Sequence, residues 1–263
     1  MTPQVSVLMP VYNACSVHPR SIWSRWWYRR RLDEAGRRKR RFLEQAIDSV
    51  LQQMFADFEF VIVDDGSTDD TPAVLRSYAD HDPRIRVVRY EQNLGVAGAL
   101  NRGLEACRAL LIARHDGDDM SPVTRLEVQK AFLDARPGTA ICGTGMYVID
   151  EDNKLINEIH HPADYESIRA VLRTTGCPFV HGSVMVRAEV LRKLGGYSTA
   201  KEFRVVEDYE LWVRMAVEHR MENIPNRALY FHRHHPHKIG VRYMKEQARA
   251  TLRVRDMAAA TLA

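Results

Sequence analysis

Residues 58–71 read FEFVIVDDGSTDDT. A short apolar run that stops at Asp64-Asp65-Gly66-Ser67 is the pattern of a strand buried on both faces and followed by a turn. The next helix is expected from about Asp70, with Pro72 suited to its first turn. A strand covered on both sides needs helices on both faces of its sheet, so strand and helix should alternate around it.

They do. Gln4–Pro10 (QVSVLMP) reads as a buried strand, and Phe42–Met54 sets Leu43, Ala46, Ile47, Val50 and Leu51 on one helical face. Ile85–Tyr90 reads as a strand, Gly95–Ala106 as a helix and Leu110–Arg114 as a fourth strand. Ser121–Ala135 is expected to be a helix, with Ser121 as N-cap and Pro122 at the first helical position. The first half is therefore α/β with a parallel, doubly wound sheet. Beyond it the spacing predicts strands at Thr139–Ile149, near Ser183–Arg187 and at Ala228–Phe231. Helices are expected at Asp164–Arg173, at about Asp208–His219 and in a tail over Gly240–Ala263.

A chain of 263 residues, 45% hydrophobic and 27% charged, suits one large α/β domain. No run of about 18 apolar residues predicts a membrane span, and Met1–Pro10 lacks the basic start and cleavage site of a signal peptide. Cys15, Cys107, Cys142 and Cys177 are scattered, which argues against a disulfide framework and for a reducing, cytoplasmic setting. The net charge of +4 hides an imbalance. Ser16–Arg41 carries ten Lys/Arg against two Asp/Glu, so the remainder of the chain is acidic. The same segment holds Trp23, Trp26, Trp27 and Tyr28 and interrupts the alternation.

Ligands of open α/β sheets bind beyond the carboxyl ends of the strands. Three such ends are distinctive: Pro10-Val11-Tyr12-Asn13, Asp64-Asp65-Gly66-Ser67 and Asp116-Gly117-Asp118. A tyrosine ring can stack on a base, a carboxylate can accept from a base imide or a ribose hydroxyl, and a D-x-D pair can hold a hard divalent cation. Together they suit a nucleotide diphosphate. A phosphatase-type D-x-D-G-[ST] reading fails, because Val63 stands where the nucleophile would precede Asp65, and Asp119 follows Asp118 in place of glycine. His232, His234, His235 and His237 suggest zinc, but their spacing is irregular and no cysteine assists.

The segments VSVLMPVYNA, LEQAIDSVLQQ, FEFVIVDDGSTDDT, NLGVAGALNRGL, ARHDGDDMS, SVMVRAEVLRKLGGY, EDYELWVRMA and RHHP resemble, in this order, the family 2 glycosyltransferases. The resemblance spans the chain except Ser16–Arg41 and the C-terminal tail. It implies a GT-A (Rossmann-like), mostly parallel sheet flanked by helices, with a smaller mixed acceptor-side half. The expected organisation is one domain over residues 1–238, its nucleotide-binding half at about 1–120 and its acceptor half at about 121–238, then a helical tail over 239–263. It also implies a nucleotide-sugar donor, a divalent Mn²⁺ or Mg²⁺, and inversion at the anomeric carbon.

By the same resemblance Pro10, Tyr12 and Asn13 line the base pocket, and Asp65 binds the base edge. Asp116 approaches the ribose or the metal, Asp118 ligates the metal, and Arg233 and His235 belong to a loop closing over the diphosphate. Asp208 is the general base. His181, Glu207 and Trp212 are candidates for the acceptor side. The expected reaction moves one sugar, from a UDP-sugar, to a hydroxyl of a glycan or lipid-linked acceptor in cell-surface polysaccharide synthesis. A processive polymerase is not expected, since no Q-x-x-R-W follows Asp208. A nucleotidyltransferase would need a glycine-rich basic loop after the first strand.

The insert at 16–41 reads as a solvated loop or as a peripheral contact with the inner face of the cytoplasmic membrane through Trp and Arg. Nucleic acid is the less favoured partner. The alternative function is a catalytically inactive GT-A-like module docking on membrane or nucleic acid through this insert. Retention of Asp65, Asp118, Asp208 and Arg233 argues for the enzyme.

Overall fold

The computed structural model describes residues 2–15 and 26–262, without the side chains of 26–33 and 239. Residues 16–25 of the insert, with Trp23, lie outside the described residues.

The amino-terminal half alternates as expected: β1 (Val5–Val11), α1 (Trp26–Leu51), β2 (Phe58–Asp65), α2 (Thr71–His81), β3 (Ile85–Tyr90), α3 (Gly95–Ala106), β4 (Leu111–Arg114) and α4 (Arg125–Asp134). Next come β5 (Thr139–Ile149), β6 (Leu155–Ile159), α5 (Tyr165–Thr174), β7 (Met185–Arg187), α6 (Ala188–Lys193) and α7 (Glu207–Glu218). The chain finishes with β8 (Arg220–Arg233), α8 (Ile239–Arg242) and α9 (Met244–Thr261). The described strands form one sheet in the order β3-β2-β1-β4-β7-β5-β6, with β8 parallel to β5. Strands β3, β2, β1 and β4 are parallel to one another, and β7 joins antiparallel.

Alternation along β1 and β2 builds two cores. Val5, Val7, Met9, Phe58, Phe60 and Ile62 face α1 and α2; Leu8, Val61 and Val63 face α3 and the helices beyond it. Each such side chain fully buried contributes roughly 1.5–3 kcal/mol before entropy is counted. The tail is no loose appendage: Ala250, Val254 and Ala258 of α9 are buried in the second core, and Arg169 of α5 donates to the Leu262 carbonyl at 3.0 Å.

Several expectations are corrected. The helix expected from Phe42 begins at Trp26, so residues 26–41 of the insert continue α1 and are not a loop. The helix expected from Ser121 begins at Arg125. The Ser121 hydroxyl accepts from Arg125 Nη1 at 3.0 Å, and Gln53 Oε1 takes the Leu126 N–H that a cap would have served. Strand β8 runs eight residues further toward the amino end than expected. Pro225 and polar residues conceal that half, and its register against β5 shifts twice between Gly143 and Tyr147. Strand β6 and helix α6 were not expected.

Candidate active site

The carboxyl ends of β1, β2 and β4 lie side by side, because these three strands are parallel neighbours. At the first, Asn13 takes a left-handed φ of 46°. Its N–H donates to Ser67 Oγ and its Oδ1 accepts from Thr68 N, both at 2.9 Å, so a buried Asn13 ties the end of β1 to the loop after β2. This leaves Tyr12 projecting, 49% exposed, beside Pro10.

At the second, Asp64 Oδ1 accepts from Ser67 N, and Arg89 approaches Oδ2 at 3.4 Å. Asp65 accepts from the N–H groups of Leu94 and Gly95 at 2.8 and 2.9 Å, at the start of α3. Burial pushes its carboxyl up, partly offset by these two donors. Gly66 is needed between them: its φ is +76°, and a Cβ would stand 3.0 Å from Asn93 N.

The third end carries the densest charge. Arg114, buried in the sheet, pairs with Asp116. Burial works against the charged form, but Arg114 holds Asp116 below the usual carboxylate range. Tyr230 Oη accepts from Asp116 N at 3.0 Å. Gly117 packs on Val11, whose Cγ1 would lie 2.9 Å from any added Cβ. Asp118, about one-third exposed, accepts through Oδ2 from His235 Nε2 at 2.8 Å. His237 N reaches His235 Nδ1 at 3.3 Å, which assigns the ring proton to Nε2. Asp119 is fully buried and accepts through Oδ1 from Arg233 N and Lys238 Nζ, both at 2.8 Å. Against its burial, Lys238 and His232 hold it well below the usual carboxylate range.

Two site expectations are corrected. Arg233 does not face a donor cleft: it is fully buried, its guanidinium lies 4.3 Å above the Phe42 ring, and it donates to Asp118 O, Asp150 O, Asn153 and Gln45. It fixes the loop that carries Asp118. Trp212, expected on the acceptor side, is also fully buried, packed on Phe179 and edge-on to His181, so it backs His181 and offers no surface of its own.

Asp208 opens α7. Its Oδ1 accepts from Tyr209 N at 2.8 Å, and Oδ2 lies 3.8 Å from Cys177 Sγ and 4.0 Å from His181 Nδ1. Burial raises its carboxyl, partly offset by the Tyr209 N–H and by Arg114. Burial and then Asp208 push Glu207 up to about 7. His181 is kept neutral by burial and by Arg114, and its Nε2 lies 3.1 Å from the Tyr197 hydroxyl. Arg114 thus pairs directly with Asp116 and also favours the charged form of Asp208.

Arg114, Tyr230, Asp119, Cys177 and Lys238 escaped the sequence reading. A charged residue inside the run LIAR was a signal for Arg114; nothing local marks Lys238, whose partner Asp119 lies 119 residues away. Among the described residues no three His, Cys, Asp or Glu form a metal cage. Asp118 nevertheless fits a hard divalent ion, which is commonly held by one or two carboxylates together with substrate phosphates. Among the described residues the cation recorded nearest its Oδ1 is Lys238 Nζ, at 3.9 Å. All four cysteines are unpaired. No described helix is long and apolar enough to cross a membrane.

The family model described as "Glycosyl transferase family 2" matches residues 37–195. The putative glycosyltransferase EpsE of Bacillus subtilis (strain 168) is 33% identical over 221 residues, covering 82% of this chain and 68% of the relative. The O-antigen biosynthesis glycosyltransferase WbnJ of Escherichia coli is 31% identical over 180 residues, 68% of each chain. Among solved structures, the mannosyltransferase PcManGT from Pyrobaculum calidifontis, in complex with GDP-Man and Mn²⁺, superposes with a TM-score of 0.65 at 20% identity. That match covers all of this chain, which spans 65% of the solved one.

Proposed function

The chain belongs to glycosyl transferase family 2, and from that premise we propose that it moves one sugar from a nucleotide-diphosphate sugar, a UDP-sugar, to a hydroxyl of a glycan or lipid-linked acceptor, with inversion, in polysaccharide synthesis. The observation that carries this reading is a pair of acidic sites. At the end of β4 Asp116, held by Arg114, stands two residues from Asp118, a set suited to a donor diphosphate, and at the start of α7 the partly buried Asp208 beside His181 is suited to a base. WbnJ is an O-antigen biosynthesis glycosyltransferase, and PcManGT is a mannosyltransferase in complex with GDP-Man and Mn²⁺; both support the substrate class.

An acceptor hydroxyl is a poor nucleophile at neutral pH. Asp208 takes its proton as it attacks the anomeric carbon, and the raised affinity for protons that burial confers makes it a better base than an exposed aspartate. His181 and Tyr197 fix the wall beside it. On the donor side Tyr12 offers a ring for stacking, and Asp65 and Asp116 offer carboxylates. Arg233 and His235 act by holding Asp118 in place. A divalent ion on Asp118 would supply positive charge to the departing diphosphate. The basic α1 extension and the residues before it are assigned to contact with an anionic membrane on the cytoplasmic side.

Titration calorimetry of UDP and of GDP, with Mn²⁺ and then with EDTA, tests the donor site. Metal-dependent UDP binding that disappears in Asp118→Ala is expected. Binding of GDP alone overturns the nucleotide assignment, and binding of neither overturns the enzyme reading in favour of the inactive module.

A further inference from the structure

Lys238 has no part in the chemistry above, yet it sits within the carboxylate cluster. Its Nζ lies 2.8 Å from Asp119 Oδ1, 3.0 Å from His232 Nδ1 and 3.9 Å from Asp118 Oδ1. The side chain is only 13% exposed, so water screens the ammonium poorly. The other oxygen of Asp118 is occupied by the Nε2–H of His235. Oδ1 is therefore the oxygen left for a metal, and it is the one Lys238 faces.

A divalent ion on Oδ1 at an ordinary bond length of about 2.1 Å would lie within about 6 Å of the ammonium, whatever its direction. Two cations so close in a half-buried cluster repel strongly. The local acids offset this only in part. Asp116 is already paired with Arg114, and Asp119 with Lys238, so Asp118 alone remains to balance two positive charges. A nucleoside diphosphate brings its own negative charge and removes the deficit.

We propose that Lys238 is a resident cation that keeps the divalent ion off Asp118 until a nucleoside diphosphate arrives, so that metal and donor load together. This rests on the reading of Asp118 as the metal ligand. Coupling of this kind is reciprocal: whatever factor UDP adds to metal affinity, the metal adds to UDP affinity.

Mn²⁺ binding to the full chain, followed by the paramagnetic resonance of the free ion with and without UDP, tests it. Lys238→Gln keeps an N–H for Asp119 but removes the charge; Lys238→Arg keeps the charge. Lys238→Gln is expected to bind Mn²⁺ without nucleotide at least about tenfold more tightly than the wild type, with UDP's enhancement shrinking by the same factor. Lys238→Arg is expected to follow the wild type. A nucleotide-free affinity in Lys238→Gln equal to or weaker than wild type, with melting curves showing both folded, overturns the inference while leaving Asp118 as a ligand if Asp118→Ala loses Mn²⁺. Retention of the gain in the Asp118→Ala, Lys238→Gln double variant moves the metal elsewhere and overturns both.

Discussion

Asp208 and Glu207 are adjacent, and both carboxyls are raised by burial. Asp208→Asn removes the base without changing shape. Turnover is expected to fall by roughly 10²–10⁴, with the dissociation constant for UDP unchanged. Single-turnover kinetics beside calorimetry check this, and a parallel loss of UDP binding would contradict it. Glu207 allows a sharper test. Its carboxyl goes from an ordinary 4.5 to about 7, so the folded chain holds more protons than the unfolded one between those values. Stability contributed by that proton is present in full below pH 4.5 and is lost as pH rises through about 7. Glu207→Gln should therefore raise the melting temperature at pH 8 and hardly change it at pH 5; equal shifts at both would refute the assignment. The site was legible at this scale where polar residues break an apolar pattern, as at Asp118 and Asp208. It was illegible where a residue acts through partners remote in sequence. Arg233 illustrates this: an arginine after a strand looks like an anion binder, and only the Phe42 ring and four acceptors reveal a brace.

At the scale of elements, apolar patterning served well where it is unbroken, as in the doubly buried runs of β1 and β5 and on the single buried face of α3. It failed where tertiary contacts override local signals. Gln53, at the end of α1, supplies the hydrogen bond that Ser121 was expected to make, and α4 starts four residues later. The amino-terminal half of β8 escaped because it is polar, while the expected half positions the site: Tyr230 takes the Asp116 N–H, and Phe231 pairs with Met120 beside Asp119. The hydroxyl and ring of Tyr230 fill the space next to Gly182. Gly182→Ala should push β8 outward, cost about 1–3 kcal/mol by overpacking, and weaken UDP binding through Asp116. Chemical denaturation and calorimetry measure the two effects; a neutral substitution would mean that Tyr230 does not set the position of Asp116.

For the whole molecule, charge is segregated: residues 16–41 are strongly basic and the remainder is acidic. Exposed pairs such as Arg38–Glu151 and Arg41–Asp152 hold the middle of α1 against the β5–β6 turn and contribute little stability each. The chain is expected to sediment with vesicles rich in anionic lipid at low salt, and to release as the Debye length shrinks toward about 3 Å near 1 M. Changing Arg29, Arg30 and Arg31 to Glu should abolish sedimentation and leave UDP affinity intact; persistence of binding would remove the insert from any membrane role. Composition exposed this segregation at once, but only the fold shows where the basic segment leads.

Lys39 of α1 donates to the Asn13 carbonyl at 2.6 Å, at the carboxyl end of β1. Helix α1 runs back along the sheet from that point, so its residues 26–38 extend about 20 Å past the strand ends. The helix therefore extends outward from the sheet edge at which β1 and the Asp118 loop end. A surface that captures this overhang would hold that sheet edge close to itself. An acceptor tethered in that surface then searches for the enzyme in two dimensions, and one dissolved in bulk must come in beneath the overhang.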